Sequence, residues 1–236
     1  MDPSPLAARI EHTLLRLDAG PDDIAALCAQ ARRFAFHGVC VYEAHVPCAV
    51  ERLQGSPVRV VSVADFPFGM ASTVRRCLQV EALVSAGAHE IDVVLPMRPW
   101  QHGDLNAVQA DLAAVIQAAR PCPTKVILET AKLDPAQIQT AARLAAEAGA
   151  AFIKTSTGFA TRGASVDDLR LMRAAVGPGV GLKASGGIRT RAHAEALITA
   201  GADRLGCSAS VALVTEAAAA QHEADKERGA EKPHCA

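Results

Sequence analysis

The sequence predicts an α/β protein with the fold of a single-domain (β/α)8 TIM barrel, and three observations support this prediction. Short apolar runs rich in β-branched residues alternate with Ala- and Leu-rich segments of helical periodicity. The unit is roughly 25–35 residues long, which indicates βαβ units and a parallel sheet. Eight such runs lie within about 210 residues, a length that suits a compact barrel. No G-x-G-x-x-G turn follows an early strand, although an open dinucleotide-binding sheet typically carries one.

Eight segments are the predicted strands. Over most of their length they lack a polar face, as expected when both sides of a parallel sheet are covered. In chain order they are IEHTLL (10–15), GVCVY (with 39–42 at its heart), VRVVSVADF (58–66), HEIDVVLP (89–96), TKVILET (124–130), AFIKTST (151–157), VGLKASG (180–186) and DRLGCSAS (203–210).

Six segments with helical periodicity lie between these strands: DDIAALCAQARRFAF, TVRRCLQVEALVSAG, LNAVQADLAAVIQAA, AQIQTAARLAAEAG, VDDLRLMRAAV and RAHAEALITAG. Three of them end in a glycine, Gly87, Gly149 or Gly201, and glycine commonly stops a helix. We expect residues 1–220 to form one barrel and residues 221–236 a polar, flexible tail, with no second domain.

The composition argues against several classes of protein. The 24 Lys and Arg residues nearly balance the 25 Asp and Glu residues, so a nucleic-acid binder with a broad basic surface is not expected. No apolar stretch reaches the ~18 residues of a membrane span, and the first residues lack a signal-peptide pattern. We therefore expect a cytoplasmic protein without a membrane partner. The seven cysteines form no C-x-x-C pair and the eight histidines no H-E-x-x-H motif, so the sequence proposes no metal site.

Lysine is rare in this chain, and its positions are informative. Only six of the 24 basic residues are lysines, and none occurs in the first 124 residues. Lys154 and Lys183 lie inside neighbouring predicted strands, where both side chains would point into one barrel mouth. Lys125 opens a strand and Lys132 follows one, so we assign both a surface or structural role. The remaining two fall in the predicted tail.

Charged side chains inside apolar strands are the first candidates for chemistry. Lys and Asp are almost never fully buried unless paired, and Asp92, Lys154 and Lys183 all interrupt such strands. Two ammonium groups held close repel, so one loses its proton more easily and can attack a carbonyl as a neutral amine. Arginine cannot do this. A structural ion pair buried in the barrel is the alternative. Glu129 is assigned either a structural ion pair or a minor electrostatic role.

Small and donor-rich residues stand at the ends of the last three predicted strands. Thr157–Gly158 ends the sixth, Ser185–Arg189 follows the seventh and Gly206–Ser208 closes the eighth. Glycines let backbone N–H groups approach an anion, and barrels often bind phosphate in the loops after strands seven and eight. Cys40 and Tyr42, near the end of the second strand, lie close to the same predicted mouth.

At these residues the sequence resembles the deoxyribose-phosphate aldolases, a family of class I, Schiff-base aldolases. The segments GAHEIDVVLP, KVILETA, FIKTSTGF and KASGGIRT carry the resemblance, which extends from near residue 10 to about residue 215. It implies the (β/α)8 barrel and a lyase of deoxyribonucleoside catabolism. The implied reaction is the reversible cleavage of 2-deoxy-D-ribose 5-phosphate into acetaldehyde and D-glyceraldehyde 3-phosphate.

The resemblance also implies roles for individual residues. Lys154 is similar to the Schiff-base lysine, Lys183 to the second lysine that depresses its pKa, and Asp92 to the aspartate of the proton relay. It implies no cofactor and no metal, a small phosphorylated sugar as the partner, and a homodimer. The residues that match the family's contacts to the sugar phosphate are Thr13, Thr157, Gly158, Gly186, Gly187, Arg189, Gly206 and Ser208.

The chain departs from the family pattern at three places. Glu11 stands where an aspartate is frequent, Ala209 where a second serine is common, and the chain ends in PHCA where many members have a tyrosine. Three alternative functions stay open. They are another Schiff-base sugar-phosphate aldolase or transaldolase, a phosphate-barrel isomerase or synthase with purely electrostatic lysines, and a catalytically silent sugar-phosphate binding protein.

Overall fold

A closed barrel of eight parallel strands forms the centre of the computed structural model, which describes residues 5–215. Each strand pairs with the next one in sequence and the last pairs with the first, so the sheet has no free edge. This confirms the predicted fold. The strands are β1 (Ile10–Leu14), β2 (Gly38–Val41), β3 (Arg59–Ala64), β4 (Glu90–Val94), β5 (Thr124–Ile127), β6 (Phe152–Lys154), β7 (Gly181–Ser185) and β8 (Arg204–Cys207).

Helices cover the outside of the barrel between consecutive strands. They are α1 (Pro21–Phe34), α2 (Val46–Arg52), α3 (Thr73–Ser85), α4 (Met97–Gln101), α5 (Leu105–Ala118), α6 (Pro135–Glu147), α7 (Val166–Val176) and α8 (Arg191–Thr199). Residues 210–215, after β8, are helical as well. Single turns of 3-10 helix occur at Ala7–Arg9, Glu43–His45 and Thr130–Lys132.

Polar caps and glycines set the helix ends. Ser72 and Asp134 accept a backbone N–H of the first turn of α3 and α6, which satisfies one of the unpaired donors there. The predicted helix stops Gly87, Gly149 and Gly201 have φ angles of +91°, +96° and +108°, values that favour glycine. The local sequence thus determines where the chain turns back toward the next strand.

The sequence analysis does not predict α2 and α4. These helices have seven and five residues, and each contains a proline near its start. Segments this short do not complete the repeats by which a 3.6-residue period is recognised. Their helical state depends on packing against the barrel rather than on local pattern.

The strands have an apolar side toward the helices, and several of them place charged side chains inside the barrel. Ile91 and Val93 belong to the hydrophobic core, and Asp92, between them, points to the opposite face. Lys125 and Lys183 are likewise completely buried. The barrel interior is therefore where charges have to be balanced.

No helix within residues 5–215 is long and apolar enough to cross a membrane. The predicted tail, 221–236, lies outside the described residues, as do both ends of the predicted 1–220 domain. That division stays a prediction.

Candidate active site

Lys154, Lys183 and Asp92 meet inside the barrel. Lys154 and Lys183 are register partners on β6 and β7, so both side chains leave the sheet at the same height. Asp92, on β4, places its Oδ2 atom 2.8 Å from Lys154 Nζ and 2.6 Å from Lys183 Nζ. A single carboxylate oxygen therefore bridges the two lysines that the sequence singled out.

Lys154 is the lysine of this pair that faces open space. Its side chain lines a cavity, whereas Lys183 lies behind it. Burial lowers the pKa of Lys154; the Asp92 carboxylate opposes this effect, and the Lys183 ammonium adds to it. The amine that can reach a ligand is thus also the one that becomes neutral more readily.

Lys183 and Asp92 are held in their charged forms. Burial acts to lower the pKa of Lys183, but the carboxylates of Asp92 and Glu11 outweigh it and raise that pKa. Burial acts to raise the pKa of Asp92, but Lys125, Lys154 and Lys183 outweigh it and hold that pKa well below its ordinary value. The sequence analysis named only the repulsion between the lysines, whereas burial is the larger cause of the lowered Lys154 pKa.

Lys125 and Glu11 extend the network inside the barrel. Lys125 Nζ lies 2.9 Å from Asp92 Oδ1 and 3.4 Å from Glu11 Oε1. Glu11 also accepts a hydrogen bond from Lys183. The surface role considered for Lys125 is wrong, because the barrel encloses it completely. Lys132, in contrast, is exposed.

Glu11, His37 and Glu90 bring three potential metal-ligand atoms within 4.8 Å of one another. The ammonium of Lys125 lies among them, 2.7 Å from Glu90 Oε2. A cation therefore already balances these carboxylates, and a divalent ion would have to displace or neutralise it. The donor set does not fit a metal.

A cavity of about 430 Å³ opens beside Lys154 at the carboxyl ends of the strands. Its size is in the range of sites for small molecules. The resemblance implied substrate contacts for eight residues, and the structure brings all of them to the lining of this cavity: Thr13, Thr157, Gly158, Gly186, Gly187, Arg189, Gly206 and Ser208.

Glycines shape the wall of the cavity. Gly186 and Gly187 have φ angles of +82° and +71°, a region that few other residues adopt, and they follow β7 directly. A side chain at Gly206 would bring its Cβ to 3.1 Å from Lys183 Cε. Arg189 and Ser208 are exposed at the rim, where a guanidinium and a hydroxyl can meet an anion.

Thr157, after β6, is hydrogen-bonded to Glu129, which follows the neighbouring strand β5. Its hydroxyl and its backbone N–H both donate to the Glu129 carboxylate, the N–H at 3.2 Å. Glu129 itself has a φ of +58°, an unusual value for a residue with a side chain. The structural ion pair considered for Glu129 is wrong, because within residues 5–215 its contacts are hydrogen bonds to Thr157 and no cation pairs with it.

Sequence reasoning missed several residues of the site. Arg16 lines the cavity and pairs with Asp23 at 3.2 Å, and its position directly after the first strand is the signal that could have identified it.

Cys40 and Tyr42, which were predicted to lie near the mouth, do not line the cavity. Burial raises the pKa of Cys40 to about 11, so its thiol stays protonated at neutral pH.

Fold and site together define the class of protein: a (β/α)8-barrel enzyme with an amine at the carboxyl ends of its strands. Residues 9–214 match the model of a family described as DeoC/LacD family aldolase. The chain therefore belongs to the DeoC/LacD family of aldolases.

Individual relatives agree with this assignment. The chain is 45% identical over 210 residues to the deoxyribose-phosphate aldolase of Deinococcus radiodurans, covering 89% of this chain and 96% of the relative. A proposed deoxyribose-phosphate aldolase from Coccidioides immitis superimposes with a TM-score of 0.88 at 38% identity, covering 91% and 87% of the two chains. The tetrameric deoxyribose phosphate aldolase of Aeropyrum pernix gives 0.81 at 30% identity, covering 87% and 88%.

Proposed function

We propose that this aldolase reversibly cleaves 2-deoxy-D-ribose 5-phosphate into acetaldehyde and D-glyceraldehyde 3-phosphate through a Schiff base on Lys154. The observation that carries the proposal is the position of Lys154. Its amine lines a cavity of the right size for a small sugar phosphate, and its protonated form is disfavoured by burial and by Lys183. A neutral amine in such a site is a nucleophile toward carbonyl groups.

The reaction begins when the Lys154 amine attacks the C1 aldehyde of the open-chain sugar. Loss of water leaves a protonated imine, which attracts electrons. A base takes the proton of the C3 hydroxyl, the C2–C3 bond breaks, and its electron pair forms an enamine on Lys154. D-Glyceraldehyde 3-phosphate leaves first. Protonation of the enamine carbon and hydrolysis of the imine then release acetaldehyde and restore the amine.

Asp92 and Lys183 balance the charges that form on Lys154 during these reaction steps. Asp92 contacts the Lys154 amine at 2.8 Å, so it can accept the proton that the Lys154 nitrogen loses once it has bonded to C1, and return it later, directly or through water. When Lys154 becomes a cationic imine, the same carboxylate stabilises it. Lys183 holds Asp92 in the ionised state that both roles need.

The phosphate is assigned to the loops after β7 and β8. Gly186 and Gly187 bring backbone close to the cavity, and Arg189 and Ser208 stand at its rim. The end of the cavity with the arginine is thus suited to a dianion, and the Lys154 end to the aldehyde. Thr157 also lines the cavity, and its hydroxyl can donate to the substrate only if it leaves Glu129.

Reductive trapping tests the proposal. Incubation with deoxyribose 5-phosphate and borohydride should give an adduct that peptide mass spectrometry maps to Lys154, and Lys154→Arg should abolish it. Absence of the adduct would refute the Schiff-base mechanism. An adduct with a ketose phosphate but not with deoxyribose phosphate would favour a transaldolase-like enzyme instead.

We further propose that the protein works as a homodimer in the cytoplasm, in deoxyribonucleoside catabolism. Phe68, Val74 and Leu78, the last two one turn apart on α3, are all at least 60% exposed and supply an apolar surface for a second copy. Light scattering should report a dimer, and Leu78→Asp should weaken it. A monomer at all concentrations would contradict the dimer.

The free cysteines of the described residues are in keeping with a reducing compartment.

A further inference from the structure

A continuous chain of ion pairs leads from Lys154 to the opposite end of the barrel. Lys154 Nζ lies 2.8 Å from Asp92 Oδ2, and the other oxygen, Oδ1, lies 2.9 Å from Lys125 Nζ. Lys125 Nζ lies 2.7 Å from Glu90 Oε2, and the other oxygen of Glu90, Oε1, lies 3.1 Å from His37 Nε2. In this series, the two oxygens of each carboxylate contact different residues.

The two ends of this ion-pair chain face different surroundings. Lys154 lines the substrate cavity, while His37 and Glu90 line a separate cavity of about 490 Å³ on the other side. Asp92 and Lys125, in the middle, are completely buried. His37, whose side chain is 18% exposed, is therefore the outer end of the chain.

We propose that His37 and Glu90 are positioning residues that act through Lys125 and Asp92 to set how readily Lys154 gives up its proton. The inference rests on the proposed function, because it assumes that the neutral Lys154 amine is the nucleophile. His37 and Glu90 do not line the substrate cavity, and the shortest series of contacts that links them to the amine runs through Lys125 and Asp92.

Charge balance gives the direction of the effect. When Lys154 is neutral, the buried carboxylates of Glu11, Glu90 and Asp92 outnumber the two remaining lysines by one negative charge. His37 pairs with Glu90 at 3.1 Å, and in its protonated form it offsets this excess and favours the neutral form of Lys154.

The contacts between these residues change the protonation of Lys154 in the same direction as the charge balance does. Without His37, Glu90 is free to interact more strongly with Lys125. Lys125 then holds Asp92 less, and Asp92 binds the Lys154 ammonium more tightly. Removing the charge of Glu90 has the opposite consequence. Lys125 then interacts more strongly with Asp92, and Asp92 stabilises the Lys154 ammonium less.

Other charged and titratable groups lie near His37, and they are the same in the unmodified protein and in the His37 variant. Arg59, His89 and Arg204 line the same cavity, as does Cys122, whose pKa is raised by burial. The pKa of His89 is lowered by burial and by Arg59. Because these groups are unchanged in a His37 variant, a shift in Lys154 behaviour would report the loss of His37 itself.

The test is the pH dependence of reductive trapping at Lys154, with acetaldehyde and cyanoborohydride, in His37→Gln. The amide can still donate to Glu90 but has no positive charge. At neutral pH, trapping should be roughly three- to tenfold slower than in the unmodified protein, and the trapping curve should move toward higher pH. At high pH, where Lys154 is neutral in both proteins, the two curves should converge. A residue that only supports the fold would slow trapping equally at every pH.

His102→Gln is the matched control, because His102 lies at the end of α4, where its exposed side chain hydrogen-bonds to a backbone carbonyl, Arg98 O, at 2.7 Å. Its trapping curve should match that of the unmodified protein. Glu90→Gln should move the curve in the opposite direction, with faster trapping at low pH.

The outcomes separate the two proposals. Superimposable curves for His37→Gln and His102→Gln would overturn this inference and leave the Schiff base intact. Absence of any adduct at Lys154 in the unmodified protein would overturn the proposed function and this inference with it. Circular dichroism establishes that each variant is folded, and His37→Gln decides the question if Glu90→Gln does not fold.

Discussion

Lys154 and Lys183 stand at the same register position on adjacent strands, yet they have opposite pKa shifts. The difference arises from their partners. Lys183 is enclosed between two carboxylates, those of Asp92 and Glu11, whereas Lys154 has Asp92 alone and faces the cavity. Equivalent backbone positions thus produce one permanent cation and one amine that can lose its proton.

Replacing Lys183 should impair activity and stability together. In Lys183→Leu, Glu11 and Asp92 lose one of the cations that they share, and breaking a buried ion pair costs about 3–5 kcal/mol of unfolding free energy. Lys154 keeps Asp92 but loses the ammonium that opposes its protonation, so its pKa should rise. We expect the turnover of deoxyribose 5-phosphate at neutral pH to fall by roughly a hundredfold or more.

Steady-state kinetics over a pH series and thermal denaturation measure these effects. Lys132→Leu, at an exposed lysine, is the control and should change neither by much. Near-normal turnover of Lys183→Leu at neutral pH would show that the second lysine does not activate the first.

A methyl group at Gly206 should disturb the same lysine. Its Cβ would lie 3.1 Å from Lys183 Cε and 3.0 Å from Ser185 Cβ, closer than ordinary contacts allow. Gly206→Ala should therefore cost about 1–3 kcal/mol of unfolding free energy. It should also lower turnover more than Gly179→Ala, a substitution that meets no atom within 4 Å. Equal turnover and equal melting temperatures for the two variants would contradict the close approach of Gly206 to Lys183.

The fold could be predicted because every unit of it is local. Each strand is a short β-branched run, and glycines such as Gly87 and Gly149 end the helices where the next strand has to begin. The right-handed βαβ connection then leaves few ways to arrange eight units. The helices α2 and α4 escaped this reasoning because their conformation depends on the packed barrel rather than on a periodic pattern.

The site was predictable only in part. Lys154, Lys183 and Asp92 could be identified because a charged residue inside an apolar strand is rarely buried without a partner. Lys125 and Glu11 lie equally deep, but each stands near the beginning of its strand, where a charge is ordinary. Only the closed barrel shows that those strand positions also face the interior, so their partners depend on register and could not be read along the chain.

Phosphate recognition should depend on Arg189. Its side chain is exposed at the rim of the substrate cavity, beside the glycine turn after β7. In Arg189→Ala the KM for deoxyribose 5-phosphate should rise about tenfold or more, since a charge-assisted contact is lost. Cleavage of unphosphorylated deoxyribose should change little. Arg170→Ala, at an arginine that is 70% exposed on α7, should leave both substrates unaffected. A similar loss with both sugars would place Arg189 elsewhere than at the phosphate.

Glu90 should make the protein sensitive to acid in a defined range. Burial acts to raise the pKa of Glu90, but contacts with His37 and Lys125 outweigh it and lower the pKa from 4.5 to about 2. A depressed pKa contributes stability above the unfolded-state value, and that contribution is lost as the pH falls through the folded-state value. The shift is worth roughly 3 kcal/mol at neutral pH.

Glu90→Gln should therefore be less stable than the unmodified protein at neutral pH, and the difference should shrink as the pH falls from about 4.5 toward about 2. Urea unfolding at several pH values measures it. Glu195→Gln removes an exposed pair with Arg191 and should cost less than about 1 kcal/mol throughout. A Glu90→Gln difference that does not change over this pH range would mean that the carboxylate gains no stability from His37 and Lys125.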